Sequence, residues 1–264
     1  MTVPQIQPAL SASDTKILHA VFDPESAPEA PRISVDPSLP LDPHITDPEV
    51  LASLRSREVA AIKVIEGSSS STGNEEEGVK HAAYLDAKAR LDAIIAEQPT
   101  YASAWNNRAQ LSRWRYGDRG VLTRKSSDAD TLPERAIQAQ QALSQALTDL
   151  STAISLATPS TSQGPGSAVS PSQGKILAQA WTQRAAIYWG VAKDLSVPGT
   201  TLIKSEREWE GWDKMRFEEE GSRAFFVAGL YGSEVGRAMA VLSNPTAKLC
   251  GSIVKEALRR ERGE

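Results

Sequence analysis

The octapeptide ASAWNNRA at 102–109 returns as AQAWTQRA at 178–185, and both fit A-x-A-W-x-x-R-A. Five fixed positions in eight rarely coincide by chance in one chain. The two tryptophans, Trp105 and Trp181, lie about 76 residues apart, two units of about 34 residues with a short excess. A chain that repeats a helical unit of this size is constrained to stack its units, because one unit alone cannot bury its apolar face.

The spacing of apolar residues predicts helices over 50–66, 80–98, 102–115, 134–157, 175–192, 205–229 and 233–261, the last broken at Asn244-Pro245. A short capped helix is expected at 13–22, where Ile17, Leu18, Val21 and Phe22 share a face. Seven prolines between Pro24 and Pro48 predict an extended run over 23–49. No segment carries a strand pattern, and no hairpin dipeptide sits between alternating runs. The expected class is all-α. Segments 67–78, 117–134, 158–174 and about 193–204 read as flexible inserts, rich in Ser, Gly, Pro or Glu.

These helices fit a tetratricopeptide scheme, with small residues where two helices cross and large ones in the gaps. Ala87, Leu91 and Ile94, followed by Pro99, have the spacing of a second helix, and Ala146, Leu150 and Ala153, followed by Thr158-Pro159, repeat it. Trp105 with Ala109, and Trp181 with Ala185, occupy the aromatic and small positions of a first helix. Three helix pairs are therefore expected at 50–99, 102–158 and 175–229, forming a short right-handed superhelix. Residues 1–49 would precede it as a helix and a Pro-rich segment. Residues 230–264 would cap it, with Leu249, Cys250, Ile253, Val254 and Leu258 covering the last pair.

Composition excludes several classes of function. The net charge of −4 offers no general attraction to nucleic acid or anionic membrane. The single cysteine, Cys250, rules out an intrachain disulfide, and neither a secretory leader nor a membrane-spanning run is expected. A cytoplasmic or nuclear setting follows by elimination. His19, His44 and His81 share no ligand spacing, and no phosphate-loop or nucleophile motif appears. No enzyme activity, metal or cofactor is expected.

The series FDP at 22–24, YASAWNNRAQ, LTDLSTAISLA at 147–157, QAWTQRAAIYWG and NPTAKLCGSIVKEA at 244–257 resembles the tetratricopeptide repeat protein 36 family, in a fungal-type version. The resemblance spans about residues 13–260 apart from the inserts. It implies a small cytosolic adaptor, binding heat-shock chaperones of the seventy-kilodalton class, with a link to tyrosine catabolism through the stability of a catabolic enzyme.

In such a solenoid the first helix of each pair lines the concave face. Inward positions are then Arg55, Ser56, Val59 and Lys63, then Ser103, Asn106, Asn107, Gln110, Arg113 and Trp114, then Gln179, Thr182, Gln183, Ala186 and Trp189. Amides and cations of this kind suit an extended peptide, because amides pair with backbone groups and arginine with carboxylates. The candidate partner-binding residues are Arg55, Asn106, Asn107, Gln110, Arg113 and Gln183. Chaperone-tail clamps of other tetratricopeptide proteins use two lysines, two asparagines and an arginine. Asn107 and Arg55 fit that set, while Val59, Gln179 and Gln183 depart from it. Arg108 and Arg184 are expected to point outward in surface ion pairs. The alternative function is a structural scaffold or assembly subunit that uses its convex face or its inserts.

Overall fold

The protein is seen in a computed structural model, described over residues 33–68, 76–125, 132–159, 167–203, 209–244 and 259–260. It is all-α in class: among the described residues, helices α1 (Pro48–Ser68), α2 (Glu76–Glu97), α3 (Ala102–Tyr116), α4 (Glu134–Ala157), α5 (Pro171–Leu195), α6 (Lys214–Leu230) and α7 (Glu234–Ser243) carry the fold. The expected helix at 13–22 and the capping residues Leu249 to Leu258 lie outside the described residues, as do 69–75 and 160–166 of the inserts.

Local chemistry sets the helix ends. Pro99 follows α2, and Gly117 ends α3 at φ 76°, in the left-handed region that glycine adopts without strain. At the start of α5, the Ser170 hydroxyl accepts from the Gln173 N–H, the Gln173 side chain takes up the Ser170 N–H, and Pro171 occupies the first turn. Asp213 and Ser233 cap α6 and α7 through the N–H groups of Arg216 and Gly236. The expected helix at 205–229 is shorter at its front: α6 begins only at Lys214, after a glycine turn at Gly211.

Each helix packs on its neighbours in the chain, and the interfaces α1–α2, α3–α4 and α5–α6 exceed those of α2–α3 and α4–α5. One core joins Leu54 and Ala61 of α1 to Tyr84, Leu91 and Ile94 of α2 and Leu111 of α3. A second joins Ala109 of α3 to Leu143, Leu147 and Leu150 of α4, to Ile187 and Tyr188 of α5 and to Phe217 of α6. The alanines of the repeated octapeptide do what their size permits. Ala104, Ala109, Ala180 and Ala185 are fully buried where helices cross.

Two short strands correct the expectation of a strand-free chain. β1 (Thr123–Lys125) pairs antiparallel with β2 (Thr200–Leu202), in the register Thr123↔Leu202. Parts of the segments expected as flexible inserts at 117–134 and about 193–204 thus pair with each other, while 126–131 and 204 lie outside the described residues. Asp194 fixes the approach, accepting from the Gly120 N–H at 2.6 Å, the Thr123 hydroxyl at 3.2 Å and Arg119. Gly190 is required here, since a Cβ would lie 2.5 Å from the Asp118 carbonyl oxygen. Strands of three residues carry too short an alternation to be legible in sequence. A parallel bridge, Val35↔Val169, brings the extended segment 33–36 against the start of α5.

Arg108 also departs from expectation. Its side chain is 13% exposed and bonds both oxygens of Asp149 on α4, whose side chain is 1% exposed, at 2.8 and 2.7 Å. It reaches Asp92 on α2 at 2.7 Å and lies 4.9 Å from the Trp105 ring centre. Removing one partner of a buried pair strands the other charge. Asp149→Ala is expected to lower unfolding free energy by about 3–5 kcal/mol in urea titration, with Arg108→Met, Asp149→Leu recovering most of the loss.

Candidate functional site

Helix α3 is the axis of the site. Asn106, Asn107 and Gln110 fall about 100° and 300° apart around it in turn, so that Gln110 points between the two asparagines. Asn106 is fully buried beneath the groove: its Oδ1 accepts from Gln183 Nε2 at 2.9 Å, and its Nδ2 donates to Gln179 Oε1 at 3.3 Å. Asn107 turns to the other side and donates from Nδ2 to Glu58 Oε1 on α1 at 2.9 Å.

An open groove of about 570 Å³ runs along α3 and α5 and is closed at one end by the α6–α7 turn. Gln110, Arg113, Lys175, Gln179, Gln183 and Tyr231 are among its lining residues. A smaller notch of about 130 Å³ adjoins it, lined by Ile62, Ile65, Leu91 and Trp114, with Asn107 and Gln110 as its polar residues. Gln110 lines both hollows, so they lie on either side of it.

Of the six candidates, Gln110, Arg113 and Gln183 share the groove, and Asn107 with Gln110 shares the notch. Arg113 is held by Asp118, both of whose oxygens it bonds, at 2.6 and 2.7 Å. Arg55 lines neither hollow; it reaches Ser172 on α5 at 3.4 Å. Gln183 is 6% exposed, and among the described residues its Oε1 has no partner.

Sequence reasoning missed Glu58. Its buried carboxylate accepts from the Tyr101 hydroxyl at 2.7 Å, the Ser103 hydroxyl at 3.1 Å and Asn107. Burial pushes its pKa above the ordinary value, against the downward pull of those three hydrogen bonds and of Arg55. The signal was present: Leu54, Glu58, Ala61 and Ile65 share one face of α1, and an acid on an apolar stripe needs internal donors. Lys175 and Tyr231 were missed because only the fold brings α5 and the α6–α7 turn to one hollow. Among the described residues, no group of three His, Cys, Asp or Glu side chains is placed to hold a metal ion, and no helix is long and apolar enough to cross a membrane.

These features define an all-α protein with a groove along α3 and α5, lined by apolar as well as polar residues, and an apolar notch beside it. The chain is 34% identical over 267 residues to the L-tyrosine degradation gene cluster protein hmgX of Aspergillus fumigatus, covering 98% of this chain and 96% of that protein. It is 25% identical over 253 residues to tetratricopeptide repeat protein 36 of Danio rerio, covering 96% and 95%. The chain belongs to the family of these two proteins. No protein-family model and no solved structure matches it.

A raised pKa makes folding take up a proton at Glu58. Its contribution to stability is full below the ordinary glutamate value of 4.5 and is lost as pH rises through the higher folded value. Glu58→Gln is therefore expected to gain stability relative to wild type as pH is raised from about 4.5 to neutrality, read from urea midpoints at each pH.

Proposed function

We propose that this protein is a non-enzymatic tetratricopeptide adaptor that acts in tyrosine degradation, in the cytoplasm or nucleus, by holding a protein partner in the groove along α3 and α5. On this reading α1–α2, α3–α4 and α5–α6 are three tetratricopeptide pairs stacked as a short right-handed superhelix, with α1, α3 and α5 on the concave side. The partner is a heat-shock chaperone of the seventy-kilodalton class or a client enzyme of the degradation route.

The observation that carries the reading is the repeated octapeptide in place. In α3 and α5 alike it sets an arginine over the tryptophan three residues earlier, at 4.9 and 5.6 Å. In both it also buries the alanine that follows the arginine. Contacts between α3 and α5, the first helices of adjacent pairs, agree with such a stack. The link to tyrosine degradation rests on the name of the Aspergillus fumigatus relative, and the repeat assignment draws on that of the Danio rerio relative.

Titration of the purified chain with a purified seventy-kilodalton chaperone, and with each enzyme of tyrosine degradation, tests the proposal. Binding of one of them is expected, with Asn107→Ala, Gln110→Ala weakening it by about 1–3 kcal/mol while the fold is retained. A partner that binds this double variant as tightly as wild type, and is lost on Phe226→Ser, Leu242→Ser at the exposed apolar positions of α6 and α7, would move the interface out of the groove and favour a scaffold.

A further inference from the structure

We infer that the groove takes an internal, extended stretch of a partner polypeptide, anchored by one aliphatic or aromatic side chain in the notch, and does not take a chain terminus held by its carboxylate. This rests on the adaptor reading above and adds the chemistry of the occupant.

The first observation is the unfilled atom of Gln183. The side chain is buried, lines the groove, and is the end of a bonded chain of amides running from Gln183 to Asn106 to Gln179. A buried polar atom calls for a partner, and among the described residues Gln183 Oε1 has none. The complementary group is an N–H donor. Reversing all three amides keeps the chain of bonds and makes the unpaired atom of Gln183 a donor that needs a carbonyl. A peptide backbone supplies an N–H and a C=O at every residue, so it answers either setting.

The second observation is the notch. Ile62 is 42% exposed and Trp114 37% exposed on its walls, with Ile65 and Leu91 deeper, and Asn107 and Gln110 supply its amides. About 130 Å³ accommodates a single apolar side chain and no folded element. Amides beside an apolar hollow hold the backbone on either side of a buried side chain, which is how extended segments are recognised.

The third observation concerns charge. Arg113 and Lys175 are the cations of the groove lining, and Arg113 is already bonded to both oxygens of Asp118. Arg108, one helix face away, is held by Asp149 and Asp92. A terminal carboxylate together with acidic side chains needs several cations directed at one place. Lys175 alone does not form such a set. Among the described residues, the notch lining contains no charged side chain.

The test uses the full chain and short synthetic peptide libraries, acetylated at one end and amidated at the other, with the central position fixed in turn as Leu, Phe, Asp, Lys or Ser. The Leu or Phe library is expected to be retained and the other three not. The best sequence from it should bind equally with an amidated or a free C-terminus. Trp114→Ala and Ile62→Asp should each weaken it by roughly tenfold or more, while Lys175→Ala leaves affinity within about threefold. Far-UV circular dichroism verifies that every variant is folded. Retention of the Asp library, or a marked gain from a free carboxylate that Lys175→Ala abolishes, overturns the inference and leaves the adaptor reading in place. So does retention of no library by a folded chain whose full-length partner is still lost on Asn107→Ala, Gln110→Ala. Retention of no library, with no partner sensitive to those two changes, overturns both.

Discussion

The guanidinium of Arg108 ties three helices at once. It leaves α3, bonds both oxygens of Asp149 on α4, and reaches Asp92 on α2 while lying over the Trp105 ring. Gln145 adds a further donor to Asp149, so the buried carboxylate is satisfied from two helices. Such a pair adds little net stability against an apolar replacement, but its geometry admits few alternatives. It fixes the rotation of α3 about its own axis relative to both neighbours. Gln110, two residues on and about 200° around the helix, is thereby turned to the opposite side, into the groove.

The other two sides of α3 are set by neutral and acidic partners. Asn107 joins it to Glu58 on α1, and Asn106 joins it to Gln183 and Gln179 on α5. Adjacent asparagines thus have opposite assignments because successive residues of a helix point about 100° apart. Tyr101 and Ser103, at the entry to α3, supply the donors that let Glu58 remain buried. The polar residues of this region therefore divide by depth. Asn106 and Gln183 lie at the floor, Asn107 is half-buried, and Gln110 and Gln179 are exposed above them.

Most of the helical pattern was legible in the sequence, since it rests on periods that recur over several turns. The segments 134–157 and 102–115 coincide with α4 and α3 to within a residue. What escaped was set by contacts between distant segments. β1 and β2 have three residues each and exist because two loops meet over α5. Arg108 was assigned to the surface because arginine on a helix stem is usually solvated. Asp149, an acid within the apolar run of α4, was the clue that a cation must be buried near it. Of the six candidate residues, Gln110, Arg113 and Gln183 line one hollow, whereas Arg55, Asn106 and Asn107 do not line it. Their engagement was not legible. Which amide is committed to another helix, and which is left facing outward, depends on side-chain directions that spacing alone does not give.

The two copies of the octapeptide also separate what a repeat holds fixed from what it lets vary. Ala104 and Ala109 match Ala180 and Ala185 in complete burial, and both tryptophans carry an arginine on the ring. Beyond that the arginines diverge. Arg108 crosses to Asp149 on the next helix, whereas Arg184 donates to the Tyr188 hydroxyl, four residues on along its own helix, at 3.0 Å. Tyr188 in turn packs edge-on against Trp209, Trp212 and Phe217, in the same core as the leucines and alanines of α4. The shared part of the motif is therefore steric: small residues let helices approach, and that requirement does not depend on the neighbouring sequence. The polar positions answer to whatever helix lies opposite. That is why positions 103, 106 and 107 of α3 differ in chemistry from 179, 182 and 183 of α5 without disturbing the burial of the shared alanines. On the adaptor reading, a groove built on such a scaffold takes its selectivity from residues that the scaffold leaves free to change.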